Sequence, residues 1–189
     1  MTTEDVSNNP VESAVDALEW PVLLGLAIGA HSQIEALDTG TGFKIGVPRP
    51  AANDEQIVSA EAELGLRLPE SYRHFLTHAD GWEGAYFTLD LFGTPELHGQ
   101  GHADRARELI ETLTAEGDLE DSGLDVADLV PVAAGEGSDL VVIVGEGRPG
   151  AGTVIWFDGG EYGRYPDFAA FFTDLVAMLQ TYAEGSSNP

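Results

Sequence analysis

Cysteine is absent from this 189-residue chain, and lysine is reduced to one residue, Lys44. The first absence excludes a disulfide framework and any thiolate metal site. Basic residues number 8 against 33 acids, which leaves a formal net charge of −25. Such a surface repels nucleic-acid phosphates and anionic lipid headgroups and attracts basic proteins, so neither nucleic acid nor membrane is an expected partner. The same excess of acid also serves plain solubility or salt adaptation. No long apolar run occurs. The clearest, Trp20–Ala30, has eleven residues interrupted by Pro21 and Gly25, well short of the ~20 that cross a bilayer as a helix. A basic N-terminal leader is missing too, with Glu4 and Asp5 where an export signal carries Lys or Arg, and a cytoplasmic location is expected.

Apolar residues make up 43 % of the chain, enough to offset ordering entropy and build a core. The length favours one domain with extensions over two independent ones. Charge is unevenly spread: residues 108–147 hold eleven acids and no Lys or Arg, and residues 1–43 hold seven acids and no base.

Helical spacing of Val11, Ala14, Val15 and Leu18 predicts a first amphipathic helix, and Pro21 starts a second that runs through Leu37. Asp38–Ala52 has the Thr, Gly and Pro content of a linker or irregular arm. From Asn53, a capping box with Gln56 opens a helix buried through Ile57, Ala60 and Leu64 and stopped by Gly65. Pro69 at N1 begins the next, with Tyr72, Phe75, Leu76 and Ala79 on one face and an Asp80-Gly81 turn after it. Ala85–Phe92 alternates as one half-buried strand, and Ala103–Thr114 is helical, followed by an acidic loop, Ala115–Asp128. Strands at Leu129–Ala134, Asp139–Val144 and Thr153–Phe157, joined by Gly-rich turns, are antiparallel neighbours. A long closing helix places Phe168, Phe171, Phe172, Leu175, Leu179 and Tyr182 on one stripe.

The stretch Ile57–Gly81 reads I-x-x-x-E-x-x-L-G-x-x-L-P-x-x-Y-x-x-F-L-x-x-x-D-G. It resembles the signature of the SUKH superfamily, the Smi/Knr-like family, with Asp80 where Asn is more usual. Leu129-Val130-Pro131-Val132, Val154-Ile155-Trp156-Phe157-Asp158 and the Phe-rich last helix are similar to its later elements. The resemblance covers roughly residues 53–183 and implies an α+β fold, mainly an antiparallel sheet packed against several helices. Residues 1–52 then form an N-terminal helical extension and linker, 53–183 the Smi/Knr-like domain and 184–189 a tail. It also implies no established catalytic centre: bacterial members are mostly immunity proteins that bind a toxin, and fungal relatives act as interaction hubs.

Other chemistry finds little footing. Gly145–Gly150 fits G-x-G-x-x-G, but a strand rather than a helix follows, so a hairpin loop is expected and no dinucleotide site. His74/His78 and His98/His102 lack a third ligand, so no metal is expected. No G-x-S-x-G occurs, and Ser71 and Ser138 have no identifiable His and Asp partners. Trp82 reads either as an interface anchor or as core; Trp20 and Trp156 read as packing. The expectation is a non-enzymatic binding protein without cofactor, its partner a basic toxin of nuclease type, or alternatively a scaffold module of the same fold. The candidate partner surface is Asp80, Trp82 and Glu83, the loop acids Asp118, Glu120, Asp121 and Asp125, and the hairpin-end acids Glu146, Asp158 and Glu161. Oligomeric state is left open.

Overall fold

A computed structural model describes residues 19–37 and 45–186, so the helix expected at Val11–Leu18 lies outside the described residues. Helix α1 (Trp20–Ala36) has Pro in its first turn and buries Trp20, Leu23, Leu24, Ala27, Ala30, His31 and Ile34. In α2 (Asp54–Leu64) the capping box forms, Gln56 N–H donating to Asn53 Oδ1 at 3.0 Å and Asn53 N–H to Gln56 Oε1 at 2.9 Å. Gly65 stops the helix at φ 65°. Pro69 is the N-cap of α3 (Glu70–Leu76), one position ahead of the expected N1.

The single strand expected over Ala85–Phe92 is instead a hairpin, β1 (Trp82–Tyr86) and β2 (Leu89–Leu91). Tyr86 pairs with Leu89, which makes Phe87-Thr88 a two-residue turn. Because Tyr86 lies opposite Leu89, the even positions of β1 share a face with the odd positions of β2; Phe87, in the turn, extends the alternation of Leu89 and Leu91 and conceals the reversal. Phe87 carries the turn at φ 52° without glycine. Its ring lies 4.5 Å from that of Tyr86 and 4.9 Å from that of Tyr182, packing that offsets the strained backbone.

A short helix, α4 (Thr94–Leu97), precedes α5 (Ala103–Glu116), and the acidic loop holds one further turn, α6 (Asp118–Asp121), and a 3₁₀ turn, Val126–Asp128. Strands β3 (Leu129–Ala134), β4 (Leu140–Val144) and β5 (Val154–Phe157) follow as expected. Then comes β6 (Glu161–Tyr165), which the sequence pattern conceals because Glu-Tyr-Gly-Arg-Tyr has no apolar alternation. Helix α7 (Phe168–Ser186) closes the chain. All neighbouring strands are antiparallel, in the order β1-β2-β3-β4-β5-β6.

Both faces of the central strands are buried. In β4, Val141 and Ile143 join one core, while Leu140, Val142 and Val144 join the other. Along β3, Val132 and Ala133 fall in the same core although adjacent, because the register shifts between Pro131 and Ala133; a bulge turns two successive side chains to one side. The larger core lies under α1, α2, α3 and α7, where Trp20 reaches Phe75 and Phe172 with ring centroids 5.4 Å away in both cases. The smaller core lies under α5 and α6, closed by Ala106, Leu109, Leu113 and Leu119.

Residues 45–52 have no helix or strand, yet they are fixed. Arg49 clamps Glu96 through two hydrogen bonds of 2.9 and 2.5 Å, and its Nε donates to the Asp80 carbonyl at 2.5 Å. Its own N–H donates to Gly81 O, and Ala52 N–H to Leu76 O, both at 2.9 Å. The arm is thereby tied to α3, to the Asp80-Gly81 turn and to α4.

Phe171→Ala, emptying a fully buried ring site, is expected to cost about 3–5 kcal/mol in urea unfolding, whereas Val126→Ala on the surface stays within about 0.5 kcal/mol. Arg49→Ala removes the cation from Glu96, which keeps the Gly93 N–H, and is expected to cost about 2–4 kcal/mol in the same assay; Arg49→Lys recovers less than half, since an ammonium cannot fork across the carboxylate.

Candidate functional site

Most of the residues in the signature stretch hold the fold. Glu61 accepts from Leu68 N–H at 2.9 Å and from Arg73 at 2.6 Å, and Tyr72 O–H donates to Phe92 O at 2.9 Å. Asp80, expected on the partner surface, is 7 % exposed, its carboxylate taken up by Thr94 N–H at 2.6 Å and Thr94 Oγ1 at 2.8 Å. Trp82, also placed there, is 1 % exposed, and its ring meets His31 edge-on at 5.0 Å. Both belong to the interior: β1 starts beneath α1 and the 45–52 arm, so only Glu83 of that trio is exposed.

The remaining candidate acids are at the surface but not in one place. Segment 117–125 crosses the smaller core and is pinned to β6, where the Arg164 guanidinium donates to Ser122 O at 3.0 Å and to Glu161 at 2.7 and 2.8 Å. That contact brings Glu161 to Ser122, the residue after Asp121. Asp125 caps the 3₁₀ turn through Ala127 N–H at 2.9 Å. Glu146 lies in the β4–β5 loop, which the Gly145 N–H to Asp128 O bond joins to the same acidic segment. Asp158 is at the opposite end of the sheet, in the β5–β6 turn, where Ser138 Oγ donates to it at 2.6 Å. Glu83 sits on the far edge strand. The exposed acids Glu108, Glu111, Glu116, Glu120, Asp121 and Asp125 therefore form an outer acidic layer over α5 and the loop after it.

A second cluster, invisible in the sequence pattern, occupies the other face of β5 and β6. The Trp156 indole N–H donates to Asp139 Oδ1 at 2.9 Å. Tyr162 and Tyr86 stand edge-on to the Trp156 ring at 5.0 and 5.9 Å. Tyr165 O–H donates to Asp174 Oδ2 at 2.8 Å. Burial raises the Asp139 carboxyl above its usual range, and the charge of Asp158 adds to that effect. Tyr86 is likewise raised, first by burial and then by Tyr162, Asp139 and Asp174. Tyr86, Trp156 and Asp139 carried a signal as members of expected strands; Tyr162 and Tyr165 depend on a β6 that the pattern does not reveal.

Elsewhere, His102 Nδ1 pairs with the Asp90 carboxylate, which also accepts from Gly84 N–H at 2.5 Å. The pair borders an open pocket of about 410 Å³ with Thr88, Arg105 and Glu136. His98 lines a different groove with Asn53 and Gln56, so the two loop histidines are separated. His74 and His78 stack edge-on at 5.0 Å. Among the described residues no group of three or more His, Asp or Glu side chains could hold a metal ion, and no helix is long and apolar enough to cross a membrane. The G-x-G-x-x-G stretch is the loop between β4 and β5.

Asp139→Asn keeps an acceptor for Trp156 and removes a half-buried charge. Because the native carboxyl titrates above the unfolded-chain value of about 3.9, its ionised form costs stability, fully above the raised value and not at all in acid. The variant is expected to be more stable than the parent at pH 7 by less than about 1 kcal/mol, a difference that vanishes below about pH 4; urea midpoints at both pH values check it.

Among curated proteins none matches the chain. The sequence pattern of the SMI1 / KNR4 family (SUKH-1) matches residues 51–176, starting in the arm held by Arg49 and ending inside α7. With that match over well over half its length, and with an antiparallel sheet between helical layers, the chain belongs to the SMI1 / KNR4 family (SUKH-1).

Proposed function

We propose that this chain is a non-enzymatic immunity-type protein of the bacterial cytoplasm, which binds a basic toxin domain of nuclease type and occludes it. Family membership supports a protein-binding role. The observation that carries the finer reading is the outer acidic layer, six exposed carboxylate residues on α5 and segment 117–125, in a stretch where residues 108–147 hold no Lys or Arg. The bases that border it are already engaged. Arg105 pairs with Glu108 at 3.3 Å, Arg107 with Asp104 at 2.5 Å and Arg164 with Glu161 at 2.7 Å.

Carboxylates that outnumber the bases among them stand in for the phosphates that a nuclease binds, and they steer a cationic partner in from a distance. Electrostatic steering of this kind raises association toward ~10⁸ M⁻¹s⁻¹ at low salt and fades as the Debye length shortens. The acids of α5 suit this role because the helix buries only its apolar stripe, which leaves the carboxylates solvated and their field directed outward.

The protein used as bait in lysate of its own cell is expected to retain one basic protein, whose capture weakens between low and high salt. Combined Glu120→Gln, Asp121→Asn and Asp125→Asn is expected to slow association with that partner about tenfold while leaving unfolding unchanged. Several unrelated partners would favour the scaffold role instead, and failure to retain any basic protein at physiological salt would sink the toxin-binding reading.

A further inference from the structure

We propose that the aromatic face formed by Tyr86 and Tyr162 over the buried Trp156 ring, together with Asp139 and Asp174, is a docking site for a guanidinium side chain, an arginine of the bound protein partner. The inference rests on the reading of this chain as a binder of basic protein, and it assigns the anchoring contact to a surface separate from the acidic layer over α5.

Tyr162 is 60 % exposed on an edge strand. An aromatic ring this open is stabilised by little beyond its edge contact with Trp156, 5.0 Å away. Exposed aromatics are enriched among the residues that dominate binding energy. The chemistry around it selects a cation. Trp156 donates its N–H to Asp139, Tyr165 donates its O–H to Asp174, and Asp158 is close enough to perturb Asp139. Each carboxylate accepts one hydrogen bond from a ring yet keeps its full negative charge and free acceptor positions, Asp139 half-buried and Asp174 exposed, so both are open to an incoming cation.

The base closest along the strand does not fill this role. Arg164 is aligned with Ile155, whose side chain belongs to the smaller core, and its guanidinium is held by Glu161 and Ser122 on that opposite face. The face thus has the rings of Tyr162 and Tyr86 for stacking and carboxylates for charge, but its own strand supplies the cation elsewhere. Arginine fits better than lysine because a planar guanidinium stacks on a ring and forks onto a carboxylate at once.

The test uses the full chain and the peptide acetyl-Gly-Arg-Gly-Arg-Gly-amide as probe, with lysine and citrulline versions as controls, followed by Trp fluorescence and by backbone amide shifts. The arginine peptide is expected to bind saturably at low salt, more tightly than the lysine peptide, with shifts centred on Tyr86, Trp156 and Tyr162; the citrulline peptide is not. Tyr162→Ala is expected to weaken binding about fivefold and Tyr162→Phe to leave it nearly unchanged, while the triple neutralisation of the 117–125 segment has little effect. Unaltered affinity in Tyr162→Ala, or shifts confined to residues 117–125, would overturn the site. The two readings fail separately: peptide binding at this face with no cellular partner refutes toxin binding alone, and a captured partner indifferent to Tyr162→Ala refutes the arginine site alone.

Discussion

Complete burial of the central strand governs this structure. Every residue of β4 is inside, and a strand whose side chains point alternately up and down is only buried if both faces of the sheet are covered. The two covers differ in kind. One is a thick layer of α1, α3 and α7, nearly all apolar at the contact and rich in interlocking aromatic rings. The other is essentially one amphipathic helix and a short segment after it, apolar beneath and acidic above. The fold thus separates the work of stability from the display of charge.

The sheet edges are treated just as unequally. An open edge strand invites unwanted pairing. β1 is shielded: His31 Nε2 contacts Ala85 O at 3.0 Å, and the arm behind Arg49 runs so close that a side chain at Gly46 would collide with the Glu83 carbonyl. Burial holds the His31 imidazole below its usual range. Among the described residues β6 has no such cover, and it is short, bulged against β5 and charged at Glu161 and Arg164, the features that blunt an exposed edge without closing it. Tyr162 is accessible for the same reason.

A net charge of −25 opposes compaction through self-repulsion. The interior deals with it by giving each buried acid specific donors: Asp80 has Thr94, Glu96 has Arg49 and Gly93 N–H, and Asp90 has His102 and Gly84 N–H. Four of the eight bases, Arg49, Arg73, Arg148 and Arg164, hold together segments distant in sequence or a turn against its strand. Few cations are then left for the outside, and the unbalanced acids are concentrated there.

The sequence by itself determined the helices with clear stops and stripes, the three central strands and the family, because capping boxes, Gly65 and runs such as Leu140–Val144 encode local geometry directly. It misread what depends on contacts between distant residues. The Phe87-Thr88 reversal has no turn residue and packs on Tyr182, and β6 lacks an apolar period and exists because β5 offers it a partner; the 45–52 stretch is the irregular arm its composition allowed, but its anchorage, Arg49 on Glu96, was not legible. The site followed the same division. Abundance of acid was plain from the chain, but burial of Asp80 and Trp82, the split of the acids between two ends and an edge, and the meeting of Tyr86, Trp156, Tyr162 and Asp139 were decided only by tertiary structure, since exposure and proximity are properties of a packed sheet and have no local code.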